Sequence, residues 1–473
     1  MPSLRWLLAS LSLSMLLSSL GTSIANVGLP TLAEAFNASF QQVQWVVIAY
    51  LLAITTLIVS VGRLGDLIGR RRLLLAGISL FTVASVLCAM APTLGLLIAA
   101  RAAQGLGAAV MMALTMAFVA ATVPKAETGS AMGLLGTMSA VGTAMGPSLG
   151  GLLIAGLGWQ ALFLVNLPLG IVTLLLAHRH LPVDRQGPPT DRPGFDHLGT
   201  LLLALTLAAY ALAMTLHHGN ARGSFGSLNL ALLLAAVFGA GLFVWAQMKS
   251  ATPLIRMGMF RDSALSASLA TSALVSTVVM ATLVVGPFYL ARALGLDAAR
   301  VGLVLSVGPL VAALTGVPAG RLADRFGTAR MTAVGLVAMA AGALLLALLP
   351  AALGIPGYVG PIVGITFGYA LFQAANNTAV MSDVGPEQRG VVSGLLNLSR
   401  NLGLITGASM MGAVFAFASA SADIATADPA AVATGMRVTF AVAAILVVAA
   451  LAIAVGTTRR TLPAGKHRAA AST

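Results

Sequence analysis

Long apolar stretches recur from one end of the chain to the other, and nearly all of the charge sits in the short segments between them. No other feature constrains the fold as strongly. A helix that crosses the hydrocarbon core of a bilayer needs about 20 apolar residues. That rule places spans at 6–29, 44–61, 73–91, 94–120, 130–155, 160–177, 197–216, 228–248, 264–290, 300–319, 331–350, 357–381, 390–418 and 437–457. The first stretch is longer than the apolar region of a cleavable signal sequence and leads straight into a second, so it reads as a span. Backbone polar groups in lipid must be satisfied within each segment, which makes these stretches helices. Composition agrees: 26 basic and 13 acidic side chains cannot coat a soluble protein of 473 residues, and the mean hydropathy is +0.97. The expectation is an all-α integral membrane protein with fourteen transmembrane helices.

An even number of spans puts both termini on one side of the bilayer. With that side taken as cytoplasmic, the inner segments hold 20 of the 26 Lys and Arg residues. The outer loops hold four (Arg222, Arg292, Arg300, Arg437), and Arg101 and Arg400 fall inside spans. Basic residues are retained on the cytoplasmic side, so both termini are expected there, in an inner (plasma) membrane of bacterial type. The net charge of +13 is then a topological signal, and no nucleic-acid partner is expected. The single cysteine, Cys88, excludes disulfide frameworks and thiolate metal clusters.

The chain repeats itself. Gly62-Arg63-Leu64-Gly65-Asp66-Leu67-Ile68-Gly69-Arg70 follows the second span, and Gly320-Arg321-Leu322-Ala323-Asp324-Arg325-Phe326-Gly327 follows the tenth, 258 positions later. Two six-helix halves related in parallel are one arrangement used by secondary transporters. The expected units are an N-terminal six-helix bundle (1–178), a polar, Pro-rich linker (179–196), two inserted spans without a counterpart (197–250), a C-terminal six-helix bundle (251–458) and a tail (459–473).

Several positions within this frame carry chemistry. The glycines of the repeated loop permit a tight turn, and Asp66 can accept hydrogen bonds from the positive N-terminus of a neighbouring helix. A conformational latch is expected at Gly62, Gly65, Asp66, Gly69, Arg70, Asp324 and Arg325. In the fifth span, Gly142, Gly146 and Gly150 lie four apart, where they admit another helix; Pro147 removes a backbone donor, and Gly151 extends the run. Arg101 lies about 12 Å inside its span, at 1.5 Å per residue, and Gln104 shares its face. A cation at that depth needs a partner or water. Asn397, Arg400 and Asn401 share a face of the thirteenth span through their i, i+3 and i+4 spacing, and Arg400 lies roughly 16 Å past Arg389. Gln373, Asn376 and Asn377 sit on the twelfth. Arg101, Gln104 and Arg400 are expected in proton coupling or gating. Asn26, Gln373, Asn376, Asn377, Asn397 and Asn401 are candidates for the substrate cavity.

The Gly62–Arg70 loop resembles the signature of the major facilitator superfamily. Arg101-Ala102-Ala103-Gln104-Gly105 resembles its second motif, and Gly142-Thr143-Ala144-Met145-Gly146-Pro147-Ser148-Leu149-Gly150-Gly151 the motif of its antiporters. Asn26-Val27-Gly28-Leu29-Pro30 and Trp45-Val46-Val47-Ile48-Ala49-Tyr50 are similar to the fourteen-span drug:proton antiporter branch. The resemblance covers nearly the whole chain. It implies a monomeric exporter of small lipophilic compounds or drugs that works by alternating access in exchange for protons. A carrier of an endogenous neutral or anionic metabolite is the alternative. One position departs from the branch: its first span carries an aspartate two residues before a Thr/Ser-Ile pair, where this chain has Gly21 ahead of Ser23-Ile24.

Catalytic signatures do not occur. None of His178, His180, His197, His217, His218 and His467 is paired with a nucleophile within a span, and no metal-ligand spacing appears. The expectation is a carrier in a lipid bilayer, with a small-molecule substrate and protons as its partners, and neither an enzyme nor the holder of a cofactor.

Overall fold

The structure is a computed structural model describing residues 4–58, 60–123, 128–184, 196–215, 227–250, 253–255, 257–382, 389–419 and 427–469. Among the described residues all regular structure is helical, and fourteen helices are long and apolar enough to cross a membrane. The first half contains α1 (Leu4–Val27), α2 (Leu29–Ala35), α3 (Phe40–Ile58), α4 (Val61–Ile68), α5 (Arg70–Ala89), α6 (Leu94–Thr122), α7 (Thr128–Leu157), α8 (Ala161–Leu164) and α9 (Asn166–His180). The inserted pair is α10 (His197–Thr215) and α11 (Ser227–Lys249). The second half contains α12 (Ser263–Phe288), α13 (Ala298–Phe326), α14 (Thr328–Leu348), α15 (Gly354–Ser382), α16 (Arg389–Thr406), α17 (Gly412–Ala418) and α18 (Pro429–Ala469). Two π-helical turns, Tyr289–Ala293 and Gly407–Met411, follow α12 and join α16 to α17.

Helix starts follow from capping chemistry. Asp262 accepts from the Ala264 N–H at 2.9 Å at the head of α12, and Asp297 accepts from the Arg300 N–H at 2.9 Å at the head of α13. Each satisfies a donor that has no partner in the first helical turn. The last helix runs on to Ala469, beyond the expected end of its span.

The repeated loop is more helical than its glycines suggest. Gly62 and Gly65 lie within α4, and Gly320 lies within α13. The turn is made by one residue in each half, Gly69 (φ 105°) and Gly327 (φ 87°), a region that L side chains rarely enter. They too are 258 positions apart. Gly65 serves close packing instead, since a Cβ there would lie 3.1 Å from Leu114.

The two halves meet at the end of the bundle away from the termini. There α13 crosses α7, with Gly302 against Gly151 and Pro147. Phe40 of α3 packs edge-on to Phe288 and Phe415 of the second half, with ring centroids 4.7 and 5.3 Å apart. Arg292 donates to Glu34 at the rim of the same end. Toward the termini, a Cβ added to Gly136 of α7 or to Gly316 or Gly320 of α13 would meet nothing within 4 Å. The inserted α10 packs on α3 and on the second π turn, touching both halves. Trp45 is part of that seam: its Nε1 donates to Thr215 Oγ1 at 2.9 Å. The other inserted helix, α11, leaves Phe238, Val237 and Leu234 exposed, as a lipid-facing helix does.

Candidate functional site

Arg101 is the one charged side chain that is fully buried among the described residues. Its Nε donates to the Val46 carbonyl at 2.9 Å, one Nη to the Gly21 carbonyl at 3.1 Å and the other Nη to Gln104 Oε1 at 2.5 Å. Gln104 Nε2 in turn donates to Ser85 Oγ at 2.7 Å. The guanidinium lies 4.1 Å from the centroid of the Tyr50 ring, close enough for a cation–π contact. Tyr50 is held by its hydroxyl, which donates to the Ser18 carbonyl at 2.8 Å. Arg101 thus pins α1, α3 and α6 together without a carboxylate. Gly21 makes this possible. A Cβ there would lie 2.9 Å from Tyr50 Oη and 3.2 Å from the Phe81 ring, so those rings occupy the space that an acidic side chain would take.

The glycines of the fifth span face two partners. Gly142 and Gly146 lie against α1, where added Cβ atoms would meet Leu16 O at 2.5 Å and Ser23 Oγ at 2.0 Å, and Gly150 lies against Val27. Ser23 Oγ also donates to the Gly142 carbonyl at 3.3 Å. Gly151 turns to the other half, 2.6 Å from the Ala298 carbonyl by the same measure. One helix therefore seals its own bundle with one face and meets the opposite bundle with the next.

The second polar cluster forms a cavity. Between α12, α15 and α16 lies a space of about 130 Å³ whose lining includes Gln373, Asn376, Asn377, Asn397 and Arg400. Asn376 is buried, and its Nδ2 has no hydrogen-bond partner; Arg400 Nε is likewise buried and unpartnered. Two expected members lie elsewhere. Asn26 turns back on its own helix, its Nδ2 donating to Thr22 O at 3.0 Å and Ser23 O at 3.3 Å. Asn401 is buried but does not line the cavity, because one residue beyond Arg400 is a rotation of about 100° around the helix. Arg101 and Arg400 therefore belong to separate sites, one closed and one open.

The loop residues divide as well. The side chain of Asp66 lies outside the described residues, and Asp324 and Arg325 are exposed, with Arg325 over the Phe326 ring. The carboxylate that caps a helix here is Asp184, just after α9. It accepts from the Arg71 N–H at 2.8 Å and the Arg72 N–H at 3.2 Å, at the positive end of α5. A Cβ on Gly69 would lie 2.4 Å from that carboxylate. Asp184 and Gly302 were not visible in the sequence, since each finds its partner more than a hundred residues away.

Residues 11–408 match the family description "Major Facilitator Superfamily". The chain belongs to the major facilitator superfamily. Its relatives include the uncharacterized transporter YebQ of Escherichia coli, 34% identical over 82% of this chain and 84% of that one. The riboflavin transporter RibZ of Clostridioides difficile is 31% identical over 87% and 88%. The multidrug resistance protein Stp of Mycobacterium tuberculosis is 32% identical over 83% and 72%. In fold, the chain is similar to a D-xylose–proton symporter, with a TM-score of 0.70 at 14% identity over 95% of this chain and 97% of that one. As a member of this superfamily the protein is a multi-pass membrane transporter built from two six-helix bundles with two inserted helices.

Proposed function

We propose that this transporter exports small lipophilic compounds, drugs among them, from the cytoplasm by alternating access, in exchange for protons. The observation that carries the reading is the contact of the two halves at the end away from the termini, where α7 and α13 meet backbone to backbone, while among the described residues a Cβ on Gly136, Gly316 or Gly320 of the same helices would meet nothing within 4 Å. With the termini in the cytoplasm, as the basic residues indicate, this is the inward-facing state of such a cycle. The name of the relative Stp supports drugs as cargo. In this reading the bundles are 1–178 and 251–458, the linker is 179–196, the insert is 197–250, and the tail is 459–473. Gly62, Gly65, Asp66, Gly69, Arg70, Asp324 and Arg325 bias the state at the cytoplasmic end. Arg101, Gln104 and Arg400 serve proton coupling or gating, the first two from within the N-terminal bundle and Arg400 from the cavity, and Gly142, Gly146, Pro147, Gly150 and Gly151 form the surface on which the bundle pivots.

The test is a drug-susceptibility panel on cells with and without the gene, followed by efflux from cells treated with a protonophore. Export reads as increased resistance that collapses with the proton gradient. Unchanged susceptibility throughout would remove drug export. A second reading, export of an endogenous neutral or anionic metabolite, is favoured by the cationic cavity and by the relative RibZ. It would appear as accumulation of a metabolite in cells that lack the gene.

A further inference from the structure

We infer that the Arg400 cavity is a recognition site for the acid headgroup of an amphiphilic cargo, a carboxylate on an aromatic body. The inference rests on the carrier reading only in taking the ligand to be cargo. The chain holds two arginines at membrane depth, and the structure treats them oppositely. Arg101 has carbonyl, amide and ring partners and no exposed surface. Arg400 borders a space of about 130 Å³ with its Nε buried and unpartnered, room for several waters or a small headgroup.

The lining is donor-rich. Asn376 Nδ2 is a second buried donor without a partner, on a residue only 4% exposed. A buried donor left unpaired forfeits its hydration without return, so the two together call for an acceptor from outside the chain. Among the described residues, none of the lining is acidic. A guanidinium offers a planar fork that matches a carboxylate, and a cation at membrane depth disfavours a second cation. Tyr369, Phe372 and Leu396 border the same space, giving an aromatic body a surface beside the polar head.

The test is calorimetric binding of 2-naphthoate, 2-naphthamide and 2-naphthyltrimethylammonium to the full chain in phosphatidylcholine nanodiscs. The acid should bind at least ~10-fold more tightly than the amide, since a charged acceptor strengthens these hydrogen bonds roughly twofold, and the cation should bind most weakly. Arg400→Gln should abolish the preference for the acid. Asn376→Leu, which removes one donor and leaves the charge, should weaken the acid several-fold; it keeps the proposal testable where Arg400→Gln fails to fold. Binding of the cation as tight as that of the acid, an undiminished preference for the acid in folded Arg400→Gln, or undiminished affinity for the acid in folded Asn376→Leu would overturn the assignment. Adding phosphatidylglycerol should leave the affinity for naphthoate unchanged; progressive loss would mean that the site takes a lipid headgroup, and would also overturn it. Because no gradient or transport is needed, failure here leaves the export reading standing, and failure of export leaves the binding result intact.

Discussion

A single methyl group at Gly302 tests the closed end of the molecule. The Cβ of Gly302→Ala would lie 2.4 Å from the Pro147 carbonyl oxygen and 3.0 Å from the Gly151 Cα. Both are backbone atoms of α7, so no side-chain rotation relieves the contact and the helices must separate. Overpacking of this kind costs about 1–3 kcal/mol. The cost falls only on the state in which α7 and α13 touch, so the balance should move by roughly 5- to 150-fold toward the other state. Spin labels at Ile68→Cys and Phe326→Cys report the change, because both residues are exposed and each precedes the turn glycine of its half. The native Cys88 is buried and need not be removed. In nanodiscs, Gly302→Ala should shift the distance distribution from long toward short as the end near the termini closes. Gly316→Ala, on the same helix with nothing within 4 Å, is the control and should leave the distribution in place. A folded Gly302→Ala protein with the unmodified distribution would refute the view that this contact sets the state.

Three further changes probe neighbouring features. Gln44 presses on Gly412 across the closed end with Nε2 and Oε1 both buried and unpartnered; Gln44→Met should remove about 1–3 kcal/mol of penalty per polar atom and lengthen the same spin-label distance, and a shortening would contradict it. Asp184→Ala should release the first turn of α5 by about 1 kcal/mol, seen as roughly fivefold faster tryptic cleavage at Arg70–Arg72; unchanged cleavage would mean that the cap carries no weight. Arg101→Lys cannot reproduce the three-way fork and should leave at least one buried acceptor unpaired, at about 1–3 kcal/mol; the melting temperature in detergent should fall, and an unchanged melt would show the fork to be dispensable.

What the sequence discloses depends on whether a residue's partner is near in the chain. The fourteen spans were readable because the bilayer acts on each segment separately. The Arg400 cavity was half readable, since Asn397 and Arg400 are one helical turn apart and Asn376 and Gln373 lie within a turn of each other. That Asn401 and Asn26 stand aside from it depends on side-chain direction, which helical spacing alone does not give. The partners of Arg101 were hidden for another reason. Two of them are carbonyls, of Gly21 and Val46, and a backbone oxygen leaves no mark in a sequence. The missing acid at Gly21 reads there as a loss, whereas in the fold Tyr50 and Phe81 fill the space. Asp184 leaves no such mark because the Arg71 N–H that it caps lies 113 residues earlier.

The repeat gives the closed end its logic. Gln44 and Gly302 are separated by 258 positions, the same offset as the turn glycines Gly69 and Gly327. One member of the pair lies on α3 and meets Gly412 of the second half; the other lies on α13 and meets Gly151 of the first. The halves therefore close through two contacts in corresponding places, as a parallel duplication requires. Their chemistry differs. At Gly302 two backbones touch with no side chain between them, a contact that gains dispersion energy and leaves no donor unpaired. At Gln44 a buried amide has no partner, which opposes closure. A carrier that must exchange states cannot favour either by many kcal/mol, since a bias of about 5.5 kcal/mol already separates 1:99 from 99:1. The unpaired amide in an otherwise tight seam keeps the closed end within reach of opening.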